Sequence, residues 1–516
     1  MERHAYRELV DWKVSSDRKP LILRGARHCG KTYLLKQFGS REFDNVVYCD
    51  FESISGLRGI FKGYFHPKLI LSDLGIISDT RIVPGKTLLI LDEIQGCDDA
   101  ILSLRYFREQ FPDLHIVCAC SYLHSPGVID DVSEDVSILN LYPMNFREFL
   151  EAEGESLSIT DASSDPCESL SSEQSHDHAL RLLRDYCVVG GMPEVVESWV
   201  TEHDVRKVDE LQRRILDDYS ETIERCGGKL SKRILSVWSS IPMFLSRSNH
   251  KFIFRDLKKD GRASDFESSV QWLSDAHLIH RVNQLDRHVF PSAIVDDPGL
   301  YKLYLCDIGL LRVMSGQPVD VMLSDSGGNM SYKDGMYENL VVCELDSSDI
   351  DGLYYWRDRR YEADLVVRVG DSSIPIDVCF GNACDNESLN AYAKVSGESR
   401  SVVMSDRPFT DGDRKIIPFY DVSEVDYRSM IDGDGSSFIM DISEDMWVRD
   451  RNSFLLRIPL DKHRMGRSPR CTVVDDNADH MPIAIGVLYN GDVVLKSNTI
   501  SRGRVIIEES ESEMVL

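Results

Sequence analysis

Short apolar runs alternate with amphipathic stretches through the first 150 residues. Pro20-Leu21-Ile22-Leu23, Val46 to Phe51, Thr87 to Asp92 and His115 to Cys120 read as buried strands. Lys31 to Phe38 reads as a helix with Leu34, Leu35 and Phe38 on one face. Strands separated by helices predict a parallel sheet with flanking helices. Leu141 to Leu150 closes this region as a strand end, a turn and a helix start. A helical pattern follows from 179 to 226, broken at Gly190-Gly191-Met192-Pro193, where two glycines and a proline force a tight turn. Helices over 232–246, 255–259 and 264–276 come next, then a strand at Leu278 to Val282. Beyond residue 300 the pattern is mixed. Tyr337 to Leu345 reads as an amphipathic helix, and Leu353–Trp356, Ala363–Val367 and Ile374–Cys379 read as strands. Ser453 to Ile458, Ile483 to Tyr489 and Asp492 to Leu495 are short strands near the C-terminus, with a hairpin signal at Asn490-Gly491.

A chain of 516 residues with 42% apolar residues has room for three or four ordinary cores. Its net charge of −27 argues against a protein that coats nucleic acid and favours solubility. The thirteen cysteines include no C-x-x-C pair and sit largely inside apolar runs, as small core residues of a reduced, cytoplasmic protein do. No apolar run is long enough to span a bilayer and the N-terminus lacks an apolar signal core, so no membrane partner is expected. Charge is unevenly spread. Residues 151–178 are Ser-rich and hold eight acids with no Lys or Arg, the composition of a solvated insert. Residues 229–283 hold ten basic against five acidic residues, a local balance of +5. Glu508, Glu509, Glu511 and Glu513 make an acidic tail.

Chemistry enters at the first strand–helix junction. Gly25-Ala26-Arg27-His28-Cys29-Gly30-Lys31-Thr32 fits the phosphate-binding pattern G-x-x-x-x-G-K-[ST] at every fixed position. Gly25 and Gly30 let the backbone N–H groups turn toward phosphate oxygens, and the following helix N-terminus adds favourable partial charge. Lys31 is expected to reach the β- and γ-phosphates of ATP, and the Thr32 hydroxyl to ligate Mg²⁺. The run Thr87 to Glu93 then ends a buried strand in two carboxylates. Asp92 is the expected Mg²⁺ partner and Glu93 the general base for the attacking water. Ser121, at the end of a third strand, is a candidate γ-phosphate sensor.

These patterns predict a multidomain α/β protein. A P-loop ATPase domain spans 1–150, the acidic insert 151–178 and a helical lid 179–228. A winged-helix-like module spans 229–299, a mixed α/β domain 300–430 and a small β-rich appendage 431–516. Three helices and a wing strand make 229–283 a candidate surface for duplex DNA, with Lys258, Lys259 and Arg262 as the phosphate contacts. Many such modules bind only protein, so an unknown protein client is the competing partner.

The chain resembles prokaryotic AAA-type ATPases that carry a C-terminal domain with a restriction-endonuclease-like fold. The resemblance covers about residues 1 to 420. It rests on Arg24 to Leu35, Leu91-Asp92-Glu93-Ile94-Gln95, Leu141-Tyr142-Pro143 and Gly190-Gly191-Met192-Pro193. Tyr301 to Leu311, Tyr337-Glu338-Asn339 and Tyr354-Tyr355-Trp356-Arg357 continue it in the same order. It implies an ATP-dependent enzyme, and ring assembly, common in AAA-type ATPases, makes a homo-oligomer a further expectation. Active enzymes of the nuclease fold look like D…(D/E)-x-K, two carboxylates for Mg²⁺ and a lysine beside the attacking water. Here Asp364 and Asp377 fall at the acidic positions and Glu338 offers a helix-borne carboxylate, but Cys379 holds the lysine position. Cysteine supplies no fixed cation, so the nuclease-like site is expected to be degenerate. A second departure is Glu134-Asp135, where relatives tend to carry a Gly–basic pair. Arg105, Arg108 and Arg225 are candidate arginine fingers, with surface ion pairs as the plainer reading. The leading functional expectation is an ATP-hydrolysing switch or remodelling protein. The alternative is a nucleotide-gated DNA-binding regulator or defence-type effector.

Overall fold

The structure is a computed structural model of the 516-residue chain. It describes every residue except 1, 55, 64, 122–127, 130, 156–171, 248, 286–298, 320–329, 347, 349, 359, 371, 381–385, 399, 411–413, 433–436, 443–445, 451–452, 459–469, 475–482, 488–492, 498–502 and 509–516. Most of the Ser-rich insert, the Asn490-Gly491 turn and the acidic tail beyond Glu508 therefore lie outside the described residues. The chain divides into two compact units, Met1–Val425 and Asp426–Leu516.

The first sheet of the larger unit contains β1 (Leu21–Arg24), β2 (Asn45–Asp50), β3 (Thr87–Asp92), β4 (His115–Cys120) and β5 (Ser137–Asn140). All pairings are parallel and the order is β2-β3-β4-β1-β5. Alternation along each strand feeds two separate cores. Ile22, Leu89, Leu91, Ile116 and Cys118 face one core with Phe61, Leu104 and Phe107. Leu21, Leu23, Leu88, Ile90 and Val117 face the other, with Trp12, Leu34, Leu35 and Phe38. Both β1 and β3 pair with β4, so their C-terminal ends open at one edge of the sheet. That edge is where the two predicted nucleotide motifs meet.

The lid region forms helices Ser172–Val189, Pro193–Glu202 and Val205–Cys226. The break at Gly190 to Met192 is the expected one. A second break, unforeseen, falls at His203, which takes φ +49°, and at Asp204, whose carboxylate caps the next helix by accepting from Arg206 N–H at 2.9 Å. The periodicity continues across this break, which is why the sequence reads as one helix.

Helices Ser231–Leu245, Phe254–Leu257 and Ala263–Asp275 follow, each within two residues of its expected bounds. The next strands are β6 (Ile279–Gln284), β7 (Tyr301–Leu305), β8 (Gly352–Asp358), β9 (Tyr361–Val369), β10 (Ser372–Cys379), β11 (Ser401–Ser405) and β12 (Arg414–Pro418). They make one seven-stranded mixed sheet in the order β12-β11-β10-β9-β8-β6-β7. The expected wing strand is thus an internal strand, antiparallel to β7 and parallel to β8. One edge pairs with β7 over Ile279–Asn283, and the other meets β8 at Asn283 and Gln284. Helices Ile308–Ser315, Met330–Leu345 and Asn386–Ser396 complete this part, the second starting seven residues before the expected Tyr337. Trp356 is fully buried here against Tyr392, their rings edge to face at 5.4 Å.

The smaller unit is all antiparallel. Strands β13 (Ser437–Ile442), β19 (Gly503–Glu508) and β16 (Arg470–Val474) form one sheet, and β14 (Val448–Asp450), β15 (Ser453–Ile458), β18 (Val493–Ser497) and β17 (Ala484–Val487) the other. Trp447, Leu456, Ile458, Val473, Val493, Leu495 and Val505 form its core. Among the described residues no helix is long and apolar enough to cross a membrane.

Phe38 packs edge to face on Tyr6 and Phe43, with centroids 5.9 and 5.6 Å away, and is fully buried under the first sheet. Phe38→Ala is expected to destabilise this region by about 3–5 kcal/mol, read as a lower urea midpoint.

Candidate functional site

The loop from β1 into helix Lys31–Glu42 holds the first motif. Gly25 is required by a close approach rather than by its torsion: a Cβ there would lie 2.1 Å from the Leu141 carbonyl oxygen. Gly30 takes φ +95°, a conformation that favours glycine, and His28 takes φ +65°. Lys31 is buried, and its ammonium donates to the carbonyls of Gly25 (2.9 Å) and Ala26 (2.7 Å). The Thr32 hydroxyl donates to Asp92 Oδ2 at 2.7 Å, and the Tyr48 hydroxyl donates to the same oxygen at 2.7 Å. Burial and the Asp92 carboxylate push the Tyr48 phenol far above its usual value, so it remains a donor.

Glu93 follows in the left-handed region at φ +51°. Its Oε1 accepts from Ser121 Oγ at 2.8 Å, and its other oxygen accepts from the Gln95 amide. Lys31, Thr32, Asp92, Glu93 and Ser121 are therefore brought to one sheet edge, as the sequence predicted. A hydroxyl and a carboxylate oxygen side by side are hard donors of the kind Mg²⁺ takes, so Thr32 and Asp92 fit a magnesium pair.

A cavity of about 410 Å³ opens over these groups. Lys31, Thr32, Glu93 and Ser121 form its floor, and Arg3, Met144, Pro193, Glu194 and Glu197 stand around them. Arg3 was not legible as a site residue. Its guanidinium bonds Glu148 Oε1 (3.0 Å), the Cys29 carbonyl (2.8 Å) and the Tyr142 carbonyl (2.7 Å), tying the N-terminus to the loop. The side chains of Arg27 and His28 border the cavity and reach helix Val205–Cys226. Arg27 donates to Thr222 Oγ1 at 3.3 Å, His28 shares a hydrogen bond with Asp218 at 2.9 Å, and the Tyr219 hydroxyl donates to the Arg27 carbonyl at 2.7 Å. These two side chains thus tie the loop to that helix while still bordering the cavity.

Glu338, Asp364, Asp377 and Cys379 fare differently. Glu338 is fully buried and bonded by Lys302 (Nζ to Oε1, 2.8 Å), by His250 and by the Tyr304 hydroxyl. Lys302 also lies 3.1 Å from Glu362 Oε1 and donates to the Asp364 carbonyl at 3.3 Å. Burial by itself would raise Glu338, but the His250 and Lys302 charges outweigh it and hold the carboxyl far below its usual range. Asp364 goes the other way. Burial, then the charges of Glu338 and Asp377, push its carboxyl well up, and its Oδ2 accepts from Val378 N–H at 3.0 Å. Asp377 is buried nearby on β10, and Cys379 is in a disulfide, unlike the ten cysteines that are free. That disulfide departs from the fully reduced set expected of the sequence. Among the described residues no group of three or more His, Cys, Asp or Glu is arranged to hold a metal ion. The sequence signal for Lys302 was its isolation as the single cation in the apolar run Tyr301 to Leu305. Nothing local linked it to Glu338.

The basic stretch is partly neutralised. Arg247 pairs with Asp256 at 2.5 Å, Lys251 with Glu362 at 3.7 Å, Lys258 with Asp265 at 3.6 Å and Arg281 with Glu267 at 2.6 Å. Lys258, Lys259 and Arg262 remain exposed. Arg105 and Arg108 both bond Asp135, at 2.6 and 3.0 Å, and Arg225 lies 3.6 Å from Glu52. Asp135 therefore anchors two of the arginine-finger candidates.

Lys302→Met would leave the buried Glu338 carboxylate without its ammonium, and is expected to destabilise the protein by about 3–5 kcal/mol. Adding Glu338→Gln is expected to recover part of that loss, a non-additivity that a double-mutant cycle in denaturant measures.

Residues 17–150 match a protein family described as an AAA domain, and residues 180–320 match one described as a domain of unknown function. No curated protein matches the chain. Among solved structures, the Walker-type ATPase of Pyrococcus abyssi is 13% identical with a TM-score of 0.39, covering 61% of this chain and 95% of its own. The Thermotoga maritima RuvB Holliday junction branch migration motor is 13% identical with a TM-score of 0.28, over 55% and 90%. The Aeropyrum pernix Orc1 protein in complex with DNA is 12% identical with a TM-score of 0.27, over 63% and 95%. On the family match and the geometry of its loop and acidic pair, residues 17–150 form an AAA-type P-loop ATPase domain.

Proposed function

We propose that this protein is an ATP-hydrolysing AAA-type switch. In this reading, nucleotide held at the P-loop changes how the lid, the winged-helix-like module and the nuclease-like sheet sit against one another. The observation that carries it is the convergence of Lys31, Thr32, Glu93 and Ser121 on one cavity of about 410 Å³, with Asp92 bonded to Thr32.

Each residue then has a chemical task. Lys31 exchanges two loop carbonyls for phosphate oxygens, a stronger charge-assisted bond. The loop N–H groups and the helix N-terminus hold the phosphate chain. Thr32 and Asp92 hold Mg²⁺, which when bound neutralises charge on the phosphates. Tyr48 keeps the Asp92 carboxylate in place. Glu93 takes a proton from the attacking water, and Ser121 and Gln95, which now donate to Glu93, orient it. Contacts made to the γ-phosphate are lost after hydrolysis, and that difference moves the lid.

A second reading, a nucleotide-gated DNA-binding regulator, is favoured by the exposed cations Arg255, Lys258, Lys259 and Arg262 around helix Phe254–Leu257. Duplex affinity that falls steeply with salt supports it, because phosphate contacts release counterions. Binding to a protein client with no DNA affinity removes it.

Lys31→Ala is expected to abolish nucleotide binding, measured with a fluorescent ATP analogue. Glu93→Gln should keep binding but lower phosphate release by about 100-fold or more. Unchanged hydrolysis in either variant would sink the assignment. The nuclease-like sheet is expected to cleave no DNA with Mg²⁺ present, and nicking that disappears in Asp364→Ala would reverse that expectation.

A further inference from the structure

We propose that Asp307 is a positioning residue of the nucleotide site, which acts through the Gly190-Gly191 turn and not by touching nucleotide. The proposal rests on reading the cavity above Lys31 as an ATP site.

Asp307 precedes helix Ile308–Ser315 and is almost wholly buried. Its Oδ1 caps that helix by accepting from Leu310 N–H at 2.8 Å. Its Oδ2 accepts from Gly191 N–H at 2.6 Å, across 116 residues of sequence. The Gly191 carbonyl in turn accepts from Met144 N–H at 2.7 Å. The single residue Gly191 therefore links Asp307 to Met144, and Pro193 follows two positions on. Met144 and Pro193 both line the nucleotide cavity. Pro193 Cγ stands 3.3 Å from where a Cβ of Gly30 would be, so the turn sets the height of the lid directly over the phosphate loop.

The turn has no room to sit elsewhere. A Cβ on Gly190 would meet Asp307 Oδ1 at 2.4 Å, and one on Gly191 would meet the Met144 carbonyl oxygen at 2.0 Å. The same helix grips the lid a second time. Arg312 Nε donates to the Val188 carbonyl at 3.3 Å and its Nη2 to Gln212 Oε1 at 2.7 Å, while Gln212 Nε2 donates to the Val189 carbonyl at 2.8 Å. The carbonyl end of helix Ser172–Val189 is thus satisfied by Arg312 and Gln212, and the N–H of the turn by Asp307. A carboxylate with two backbone donors is a directional clamp. Nucleotide that presses on Met144 or Pro193 must move it or be shaped by it.

Hydrogen–deuterium exchange of the full chain, with and without ATP and Mg²⁺, tests the link. ATP is expected to slow exchange at 25–32, at 186–193 and at 305–312. Protection at 25–32 with no change at 305–312 overturns the proposal. No protection at 25–32 removes the ATP-site reading, and the proposal falls with it. Kinetics of variants give a second test. Asp307→Ala is expected to raise the KM for ATP by about tenfold, the worth of one hydrogen bond to a charged group. Its kcat should stay within about twofold of the parent. Asp307→Asn, which keeps one acceptor oxygen, should recover most of the affinity. An unchanged KM in folded Asp307→Ala overturns the proposal, as does a loss confined to kcat. Should Asp307→Ala not fold, exchange on the unaltered chain decides.

Discussion

No side chain fits at Gly191, because the Met144 carbonyl oxygen occupies the space where a Cβ would begin. This close approach fixes the larger unit. It lets the Gly191 N–H donate to Asp307 and the Gly191 carbonyl accept from Met144. The parallel sheet supplies a floor for phosphate but no roof, since strands of a doubly covered sheet end in loops. The roof comes from Pro193 and the helix it starts, and that helix is placed by the turn. A glycine pair is thus the point at which the first sheet, the lid and the start of helix Ile308–Ser315 meet.

Buried ionisable groups make the other connections, each with hydrogen-bond donors or acceptors around it. Arg3 spans from the N-terminus to Glu148 and two loop carbonyls. Glu344, on helix Met330–Leu345, accepts from Phe146 N–H at 2.9 Å at the start of helix Phe146–Glu153, and burial pushes its carboxyl up to about 7. Lys302 lies among Glu338, Glu362 and the Asp364 carbonyl. Such groups add little net stability, because desolvation offsets their attraction. Their effect is on specificity: an unpaired charge in any alternative packing would cost several kcal/mol, by order of magnitude.

The seven-stranded sheet carries buried carboxylates that internal bonds already occupy. The two expected carboxylates, Asp364 and Asp377, lie near one another, but the third, Glu338, is already neutralised by internal donors. The lysine of this region stands on β7 and not two residues after Asp377. Its ammonium serves the packing of the sheet, holding Glu338 and Glu362 rather than a water. The ATPase edge differs in kind. There Lys31, Thr32, Glu93 and Ser121 line open space, so a ligand can replace the bonds they make to loop carbonyls and to one another.

The phosphate loop, the acidic pair and the strands of the first sheet were readable from the sequence because their signals are local. Eight contiguous residues specify the loop, and apolar runs of fixed length specify the strands. The same holds for the Gly190–Pro193 break and the β-rich C-terminal unit. Pairings between distant residues were not readable. Arg3 with Glu148 is separated by 145 positions, Asp307 with Gly191 by 116 and Lys302 with Glu338 by 36. Periodicity tells which face of an element is buried but not which element covers it. So β6 read as the edge of a wing, but it lies between β7, paired along most of its length, and β8, paired at Asn283 and Gln284. The sequence by itself determined where phosphate chemistry is placed. Only the tertiary structure decided what stands over it and which carboxylates were left free to act.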